Sequence, residues 1–516
     1  MPQPGLTRRT FLKTAATAAG AAALAGPLHM PAAQAAPAGA MPDTSKMNVL
    51  LIDIEDFTPN AIACYGNAIV KTPNMDRLAA TGTRFDRAYI QYPCCNPSRT
   101  SFLTGLRPPT TRVLSNEMNM SQTMPPGIKT LPELMKARGF YCADVGKLFH
   151  TTDYAPTQLA VFDRLEFVEK PPGWQGPGPV IQWPGAPPPG GAWAGGKPPK
   201  KGEPRYAEWK KWSSDRYGDS GLTEEQQGDG RYARTAASLL KEFARDKRHF
   251  FLCVGSQRPH TPLLAPKKYI DMYDPAKIPD PPAQPEQCRG IPDVAHKFGR
   301  SADIFSGPGR RASPDEARAA IAAYYACVSY VDAGVGIILD ALEATGLAAS
   351  TVVILLGDHG FHLGEHGLWS KYTLFESSTR APLIVRVPGA AGGGKACRRI
   401  VEFVDLVPTL CDLAGLERPA NLEGTSFAPL LSDPDRPWKK AAYTWFGNKG
   451  ENRSVRSDRC RYAEWLLKGE KFREFYDLAK DPWETVNLVD DPACAAQVAE
   501  HARLLEAGWK AALPQA

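Results

Sequence analysis

Cys95-Asn96-Pro97-Ser98-Arg99, with Thr104-Gly105 behind it, puts a thiol immediately ahead of a helix that proline starts. Backbone N–H groups and the helix dipole favour negative charge there, so the pattern suits an anionic substrate. On residue chemistry alone, the reactive group could be a thiolate activated by Arg99 and the dipole. Two acidic stations lie elsewhere: Glu55-Asp56 closes an apolar run that begins at Asn48, and Asp358-His359 closes one that begins at Thr351. Three carboxylates and an imidazole on loops after two core strands can converge in one crevice. That oxygen-rich set suits a hard cation such as Ca²⁺ better than zinc. An acidic pair after a strand reads, taken alone, as a solvated loop. The company of Asp358-His359 and the cysteine motif is what favours ligation.

C-x-P-S-R followed by T-G resembles the signature of the formylglycine-dependent sulfatases, in the alkaline phosphatase superfamily. The likeness runs from residue 47 to about 490. Asn48 to Pro59 resembles the family's first strand and metal loop, and Lys71 to Leu78 its first helix. Gly146-Lys147-Leu148-Phe149-His150 is similar to its G-K-x-x-H element and Pro259-His260 to its P-H element. Gly357 to Lys371 resembles its second metal loop and late lysine, and Tyr476 to Leu488 its closing strand and turn. The G-K-x-F-H and P-H-x-P forms are most like the iduronate 2-sulfatase branch.

The resemblance implies that Cys95 is oxidised by a formylglycine-generating enzyme to an aldehyde that hydrates to a geminal diol. It implies one divalent cation, Ca²⁺ with Mg²⁺ as the alternative, held by Glu55, Asp56, Cys95, Asp358 and His359. Glu55 stands where the family usually has aspartate, which changes the reach of that carboxylate. Lys147 and Lys371 resemble the sulfate-binding lysines, Arg99 the group that holds the diol, and His150 the base that later removes its proton. His260 resembles the acid that protonates the leaving alcohol. Ser98 and Thr100 are expected to bond the turn, and His362 and His366 to pack the loop. Cys94 is expected to be a small buried residue. The implied activity is hydrolysis of a sulfate monoester on a small molecule or oligosaccharide, with a uronate 2-sulfate foremost. The alternatives are phosphonate monoester or phosphodiester hydrolysis, and non-catalytic binding of sulfated glycans.

The elements that must position these groups are legible as apolar runs. Asn48–Ile52, Phe250–Val254, Thr351–Leu356 and Leu383–Val387 read as buried strands, each leading into a polar loop. Helical patterns alternate with them, which predicts an α/β fold. Ser313-Pro314-Asp315-Glu316 combines an N-cap serine, an N1 proline and a capping-box glutamate, and predicts a long helix reaching to Gly346. In such folds ligands gather beyond the carboxyl ends of strands, where the polar residues above lie. The resemblance implies an alkaline-phosphatase-like sandwich with a large, mostly parallel central sheet flanked by helices. Residues 47–437 are expected to form the catalytic domain. Residues 438–516, with alternating runs such as Arg461–Leu466, predict a smaller antiparallel-sheet subdomain closed by a helix over 493–512.

Length and composition set the limits. The 516 residues, 43% hydrophobic and 22% charged, describe a globular chain of more than one small module. Mean hydropathy is −0.32. The net charge of +6 includes Arg8, Arg9 and Lys13 of an acid-free leader, so bulk charge makes no case for nucleic acid. Residues 1–35, with Arg8-Arg9, an alanine-rich run and Ala33-Gln34-Ala35, resemble a twin-arginine signal. Residues 36–46 follow as a linker. Use of the twin-arginine machinery would deliver the protein to a bacterial periplasm or beyond. Eleven cysteines without a C-x-x-C pair match neither a disulfide scaffold nor a zinc ribbon. The Pro/Gly-rich segment 171–212, with its tryptophans, is either a carbohydrate-facing lid or a packed insertion. Oligomeric state is left open by the sequence.

Overall fold

The computed structural model describes residues 41–150, 160–166, 203–206, 215–297, 304–305, 311–447 and 451–514. The leader, residues 36–40 of the linker and all but 203–206 of the segment 171–212 lie outside the described residues.

Eight strands make the central sheet: β1 (Asn48–Ile54), β2 (Thr83–Tyr89), β3 (Tyr141–Gly146), β4 (Arg164–Glu166), β5 (Phe250–Ser256), β6 (Thr351–Gly357), β7 (Leu383–Arg386) and β8 (Ala396–Glu402). Their order is β8-β2-β7-β6-β1-β5-β3-β4. The four apolar runs are β1, β5, β6 and β7. All seven residues of β1 are buried, and it lies parallel to β5 and β6, with Val49 opposite both Phe251 and Val352. β7 runs against its neighbours β6 and β2, so the sheet is mixed.

The principal helices are α1 (Pro73–Thr81), α2 (Cys95–Thr104), α3 (Gly228–Asp246), α4 (Pro314–Ala344) and α5 (Leu406–Ala414). Successive strand residues face opposite layers. Leu50, Ile52 and Ile54 pack with Leu78, Leu240 and Leu339 of α1, α3 and α4, whereas Val49 and Leu51 pack with Phe102 and Leu410 of α2 and α5. The capping box forms at Ser313 and Glu316 as the spacing predicts. α4 is long and apolar enough to cross a membrane, yet 89% of its apolar window is buried in the protein, as befits a core helix.

The chain leaves the carboxyl ends of β1, β3, β5 and β6 close together. Two glycines make this possible at β3 and β5. Gly146 has φ +90°, and a Cβ on it would collide with the Gly255 carbonyl. A Cβ on Gly255 would collide in turn with the backbone of Lys147. The pair lets the two strand ends close to contact, which seats Lys147 over β5.

The second sheet joins β9 (Ala441–Phe446), β10 (Asn452–Ser457), β11 (Cys460–Leu467) and β12 (Glu470–Asp477), all antiparallel in that order. α6 (Ala495–Ala507) covers one face, where Val498 and Leu505 meet Tyr443, Tyr462 and Phe475. The expected helix over 493–512 stops at Ala507, because Gly508 turns the chain at φ +77° before a separate short turn at Trp509–Ala512. The other face packs Phe446, Trp465 and Tyr476 against Tyr92, Leu374 and Phe375. All eleven cysteines are free thiols.

A buried ion cluster ties β9 to β8. Arg107 grips Glu402 with two 2.7 Å bonds, and Lys439 donates to Glu402 at 2.8 Å and to Asp405 at 2.6 Å. Burial pushes Glu402 up, but Arg107 and Lys439 pull further the other way and hold it at about 2. Its contribution to stability is therefore full above the unfolded value of about 4.3 and is lost as pH falls through about 2. Glu402→Gln, which leaves Arg107 buried without its carboxylate and Lys439 with Asp405 alone, should lower the unfolding free energy by about 3–5 kcal/mol in urea titrations at pH 7. Asp271→Asn, at the exposed Lys267–Asp271 pair, should cost no more than about 1 kcal/mol. Equal losses would show that burial is not what gives the cluster its strength.

Candidate active site

Cys95 is the first residue of α2, two positions earlier than Pro97 suggests. Cys94 is the cap, in extended backbone, and its carbonyl accepts from Ser98 N–H at 3.0 Å to close the first turn. Pro97 fits inside that turn because its missing N–H would have no helical partner there. Cys94 is buried, with its thiol on Asn116 Oδ1 at 3.0 Å. Cys95, 1% exposed, points into the crevice where β1 and β6 end.

Asp56, Cys95, Asp358 and His359 meet there, all buried, with their ligand atoms within 4.8 Å of one another. Cys95 Sγ lies 3.3 Å from His359 Nε2 and 3.1 Å from Lys371 Nζ. Lys371 Nζ also donates to Asp56 Oδ1 at 2.5 Å. His359 Nδ1 lies 2.8 Å from the Gly360 carbonyl, an acceptor, so Nδ1 bears the hydrogen and the Nε2 lone pair faces the cluster. Burial pushes this imidazole below its ordinary value, which keeps it neutral. Asp56 Oδ2 is buried with no hydrogen-bond partner among the described residues. An orphaned carboxylate oxygen beside a second carboxylate and an unprotonated imidazole fits a divalent cation.

The backbone is bent to make this cluster. Asp56 sits at φ +53°, and Ser370 and Tyr372, on either side of Lys371, at +73° and +71°. Each costs on the order of 1–3 kcal/mol and persists only where its surroundings impose it. At Asp56 the constraint comes from α4: Tyr324 donates its hydroxyl to the Asp56 carbonyl at 2.6 Å and accepts from Thr58 N–H at 3.2 Å. Asp56 N–H in turn donates to Asp358 Oδ1 at 2.8 Å.

Arg99 is fully buried between two anions. Its Nη1 donates to Asp53 Oδ2 and to the carbonyls of Lys147 and Leu148, the latter two at 3.1 and 2.8 Å, while its Nε reaches Asp358 Oδ2 at 3.2 Å. Ser98 Oγ donates to the Asp358 carbonyl, and Thr100 Oγ1 to the Asn96 carbonyl at 2.8 Å. Glu55 is outside the four-residue group. Its longer side chain carries the carboxylate to Lys147 Nζ, and it groups instead with Asp56 and His260. His260 Nε2 is 3.8 Å from Asp56 Oδ2, and its Nδ1 is 2.7 Å from the Thr261 carbonyl. Burial, and next the charge of Lys147, push His150 down to about 3. His362 bonds Thr373 at 2.8 Å, and His366 stacks on Phe375 at 4.1 Å, so both pack the loop.

Residues 47–416 match the Sulfatase family, and residues 364–508 match the family of N-sulphoglucosamine sulphohydrolase C-terminal regions. The chain belongs to the sulfatase family. This sulfatase is 33% identical over 456 residues to a sulfatase of Formosa agariphila, covering 86% of this chain and 83% of that one. Over 486 residues it is 31% identical to iduronate 2-sulfatase of Homo sapiens, covering 85% and 76%. The solved phosphonate monoester hydrolase of Agrobacterium radiobacter superposes with a TM-score of 0.71 over 89% of this chain and 95% of that one, at 22% identity, which shows the shared fold. The sulfatase is thus a hydrolase of the alkaline phosphatase superfamily, with the buried divalent-cation cluster and active-site cysteine of the formylglycine type.

Two contributors escape a reading of the sulfatase's sequence. Asp53 lies inside the β1 apolar run, and Tyr324 lies on the apolar stripe of α4. For Asp53 a signal exists: a carboxylate in a strand buried on both faces is either paired with a cation or kept protonated. A tyrosine on a core helix carries no such mark.

Proposed function

We propose that this chain hydrolyses a sulfate monoester on a sulfated carbohydrate, a uronate 2-sulfate foremost, once Cys95 has been converted to formylglycine. The observation that carries the reading is the placement of Cys95 Sγ within the cation cluster, in reach of both His359 and Lys371. Kinship with human iduronate 2-sulfatase supports the substrate class.

Charge balance supports it as well. Among the described residues, Asp53, Glu55, Asp56 and Asp358 face Arg99, Lys147 and Lys371, an excess of one negative charge. A divalent cation, Ca²⁺ or Mg²⁺, held by Asp56, Cys95, Asp358 and His359 with Glu55 beside them, turns that into one positive charge facing the ester. With the residue converted and the cation bound, the site supplies a hydroxyl nucleophile and a Lewis acid on the sulfate oxygens. Lys147 and Lys371 neutralise oxygens that gain charge in the transition state. Arg99 fixes the start of α2 and hence the nucleophile. His150, held unprotonated by its surroundings, takes the proton when sulfate is expelled. His260 delivers a proton to the leaving alcohol from Nε2, its Nδ1 being anchored on the Thr261 carbonyl.

A general acid matters most for a poor leaving group. His260→Ala should therefore slow hydrolysis of a sugar sulfate by roughly 10²–10⁴ and of nitrophenyl sulfate far less. Equal losses would reduce His260 to a binding group. Turnover of an aryl sulfate against the matching aryl phosphonate tests the reading as a whole: preference for the phosphonate would overturn it. The leader further supports twin-arginine export to the periplasm after cytoplasmic maturation.

A further inference from the structure

Asp53 and Asp144 rise from the same face of the sheet, on either side of β5. Asp53 is opposite Gly255 and Asp144 is opposite Cys253, in the layer that carries α2. Both are buried, but among the described residues only Asp53 has a cation in contact. Burial pushes Asp53 up and Arg99 opposes it; burial pushes Asp144 well above the carboxylate range. The Arg99 guanidinium spans the gap between Asp53 and Asp358, with Asp53 and two carbonyls on Nη1 and Asp358 Oδ2 3.2 Å from both Nε and Nη2. A guanidinium is always charged and prefers a two-pronged grip on carboxylate. With Asp53 in place, one end is saturated by three acceptors, and the pull on Asp358 is limited to one of its oxygens.

We propose that Asp53 is a positioning residue for the cation cluster: by engaging Arg99 from the β1 side, it keeps Arg99 from drawing Asp358 out of the cluster. The inference rests on the site proposed above but concerns how that site is held. Without the Asp53 charge, Arg99 has one anion left and closes on it with both prongs, and Asp358 is shared less with the cation. The same contact ties the main chain of Lys147 and Leu148 to α2, so the segment bearing Lys147 and His150 is held to the helix that bears Cys95.

The test is calorimetric titration of the purified full chain with Ca²⁺ alone, alongside turnover of an aryl sulfate at rising Ca²⁺. Asp53→Asn should weaken Ca²⁺ by roughly 10–100-fold, as loss of a group that orients a ligand does. Its turnover should recover to within about threefold of the parent at saturating Ca²⁺, which a merely destabilised fold would not do. Asp144→Asn should leave Ca²⁺ affinity unchanged. Parent-like affinity in Asp53→Asn overturns the proposal, and so does an equal loss in Asp144→Asn, which would make the effect one of buried charge in general. Should Asp53→Asn not fold, Asp53→Glu keeps the charge: affinity within about threefold of the parent supports the proposal, and a loss of about tenfold or more overturns it. Failure of the parent to hydrolyse any sulfate ester would sink the proposed activity instead, and the calorimetry would stand apart from it.

Discussion

Cys95→Ser should fold, bind the cation and lose turnover by on the order of 10⁴-fold or more, the scale seen when a nucleophile is removed from a concerted unit. The substitution nearly conserves volume at the first position of α2, so packing gives no reason for collapse. A thiol attacking sulfur would leave a thiosulfate ester with no easy release. A serine would be sulfated once and stay so, since it has no second hydroxyl to expel sulfate. A hydrated aldehyde has that second hydroxyl, which is why its generation should be indispensable. Mass spectrometry of the 88–99 peptide should show the aldehyde in active enzyme and a trapped sulfoserine at most in the variant. An intact thiol at Cys95 in fully active protein refutes the mechanism. Cys95 is 1% exposed, so on the proposed reading its conversion should precede folding. The aldehyde should accordingly be present in cytoplasmic enzyme held back by Arg8→Lys with Arg9→Lys, and normal periplasmic delivery of that double variant would argue for another route.

What a linear reading reveals here is set by how local the determining forces are. β1, β5, β6 and β7 stand out because strands buried on both faces are apolar over most of their length, and α4 because Ser313 and Glu316 cap each other three residues apart. Glu55-Asp56 and Asp358-His359 are visible because they follow those runs directly. Long-range pairing leaves no such trace. Asp53 finds Arg99 46 residues away, and the unusual backbone of Asp56 is held by Tyr324 268 residues away. The direction of β7 depends on which neighbours it reaches, and its composition is that of any buried strand. The break at Gly508 is masked because the apolar residues beyond it continue at helical spacing. Glu55 shows the limit as well: its identity suggests ligation, but that its carboxylate meets Lys147 while grouping with Asp56 and His260 depends on residues far along the chain.

Asp358→Ala should remove the bound cation and the activity together and leave the fold standing. Asp358 serves three partners: Oδ1 accepts from Asp56 N–H, Oδ2 receives Arg99, and the carboxylate shares the cluster with His359 at 3.6 Å. Burial pushes this carboxyl up, but the cations around it, Arg99 in contact among them, more than offset that and hold it below its ordinary value, so it is charged at neutral pH. Deleting it takes away one of two carboxylates in a four-group cluster and frees the Asp56 backbone at its unusual φ. Loss of a group that merely orients a ligand weakens a metal about 10–100-fold, so loss of the ligand itself should exceed about 100-fold. Turnover should fall by at least about 10³, since cation and nucleophile position fail together. The fold should survive because Arg99 keeps Asp53 and the carbonyls of Lys147 and Leu148, and because one of four crowded carboxylates is gone. Elemental analysis of dialysed protein, a thermal melt and aryl sulfate turnover, taken together, decide it. Stoichiometric cation retained by Asp358→Ala would sink the assignment. Loss of turnover with the cation still bound would move Asp358 from holding the metal to holding Arg99 alone.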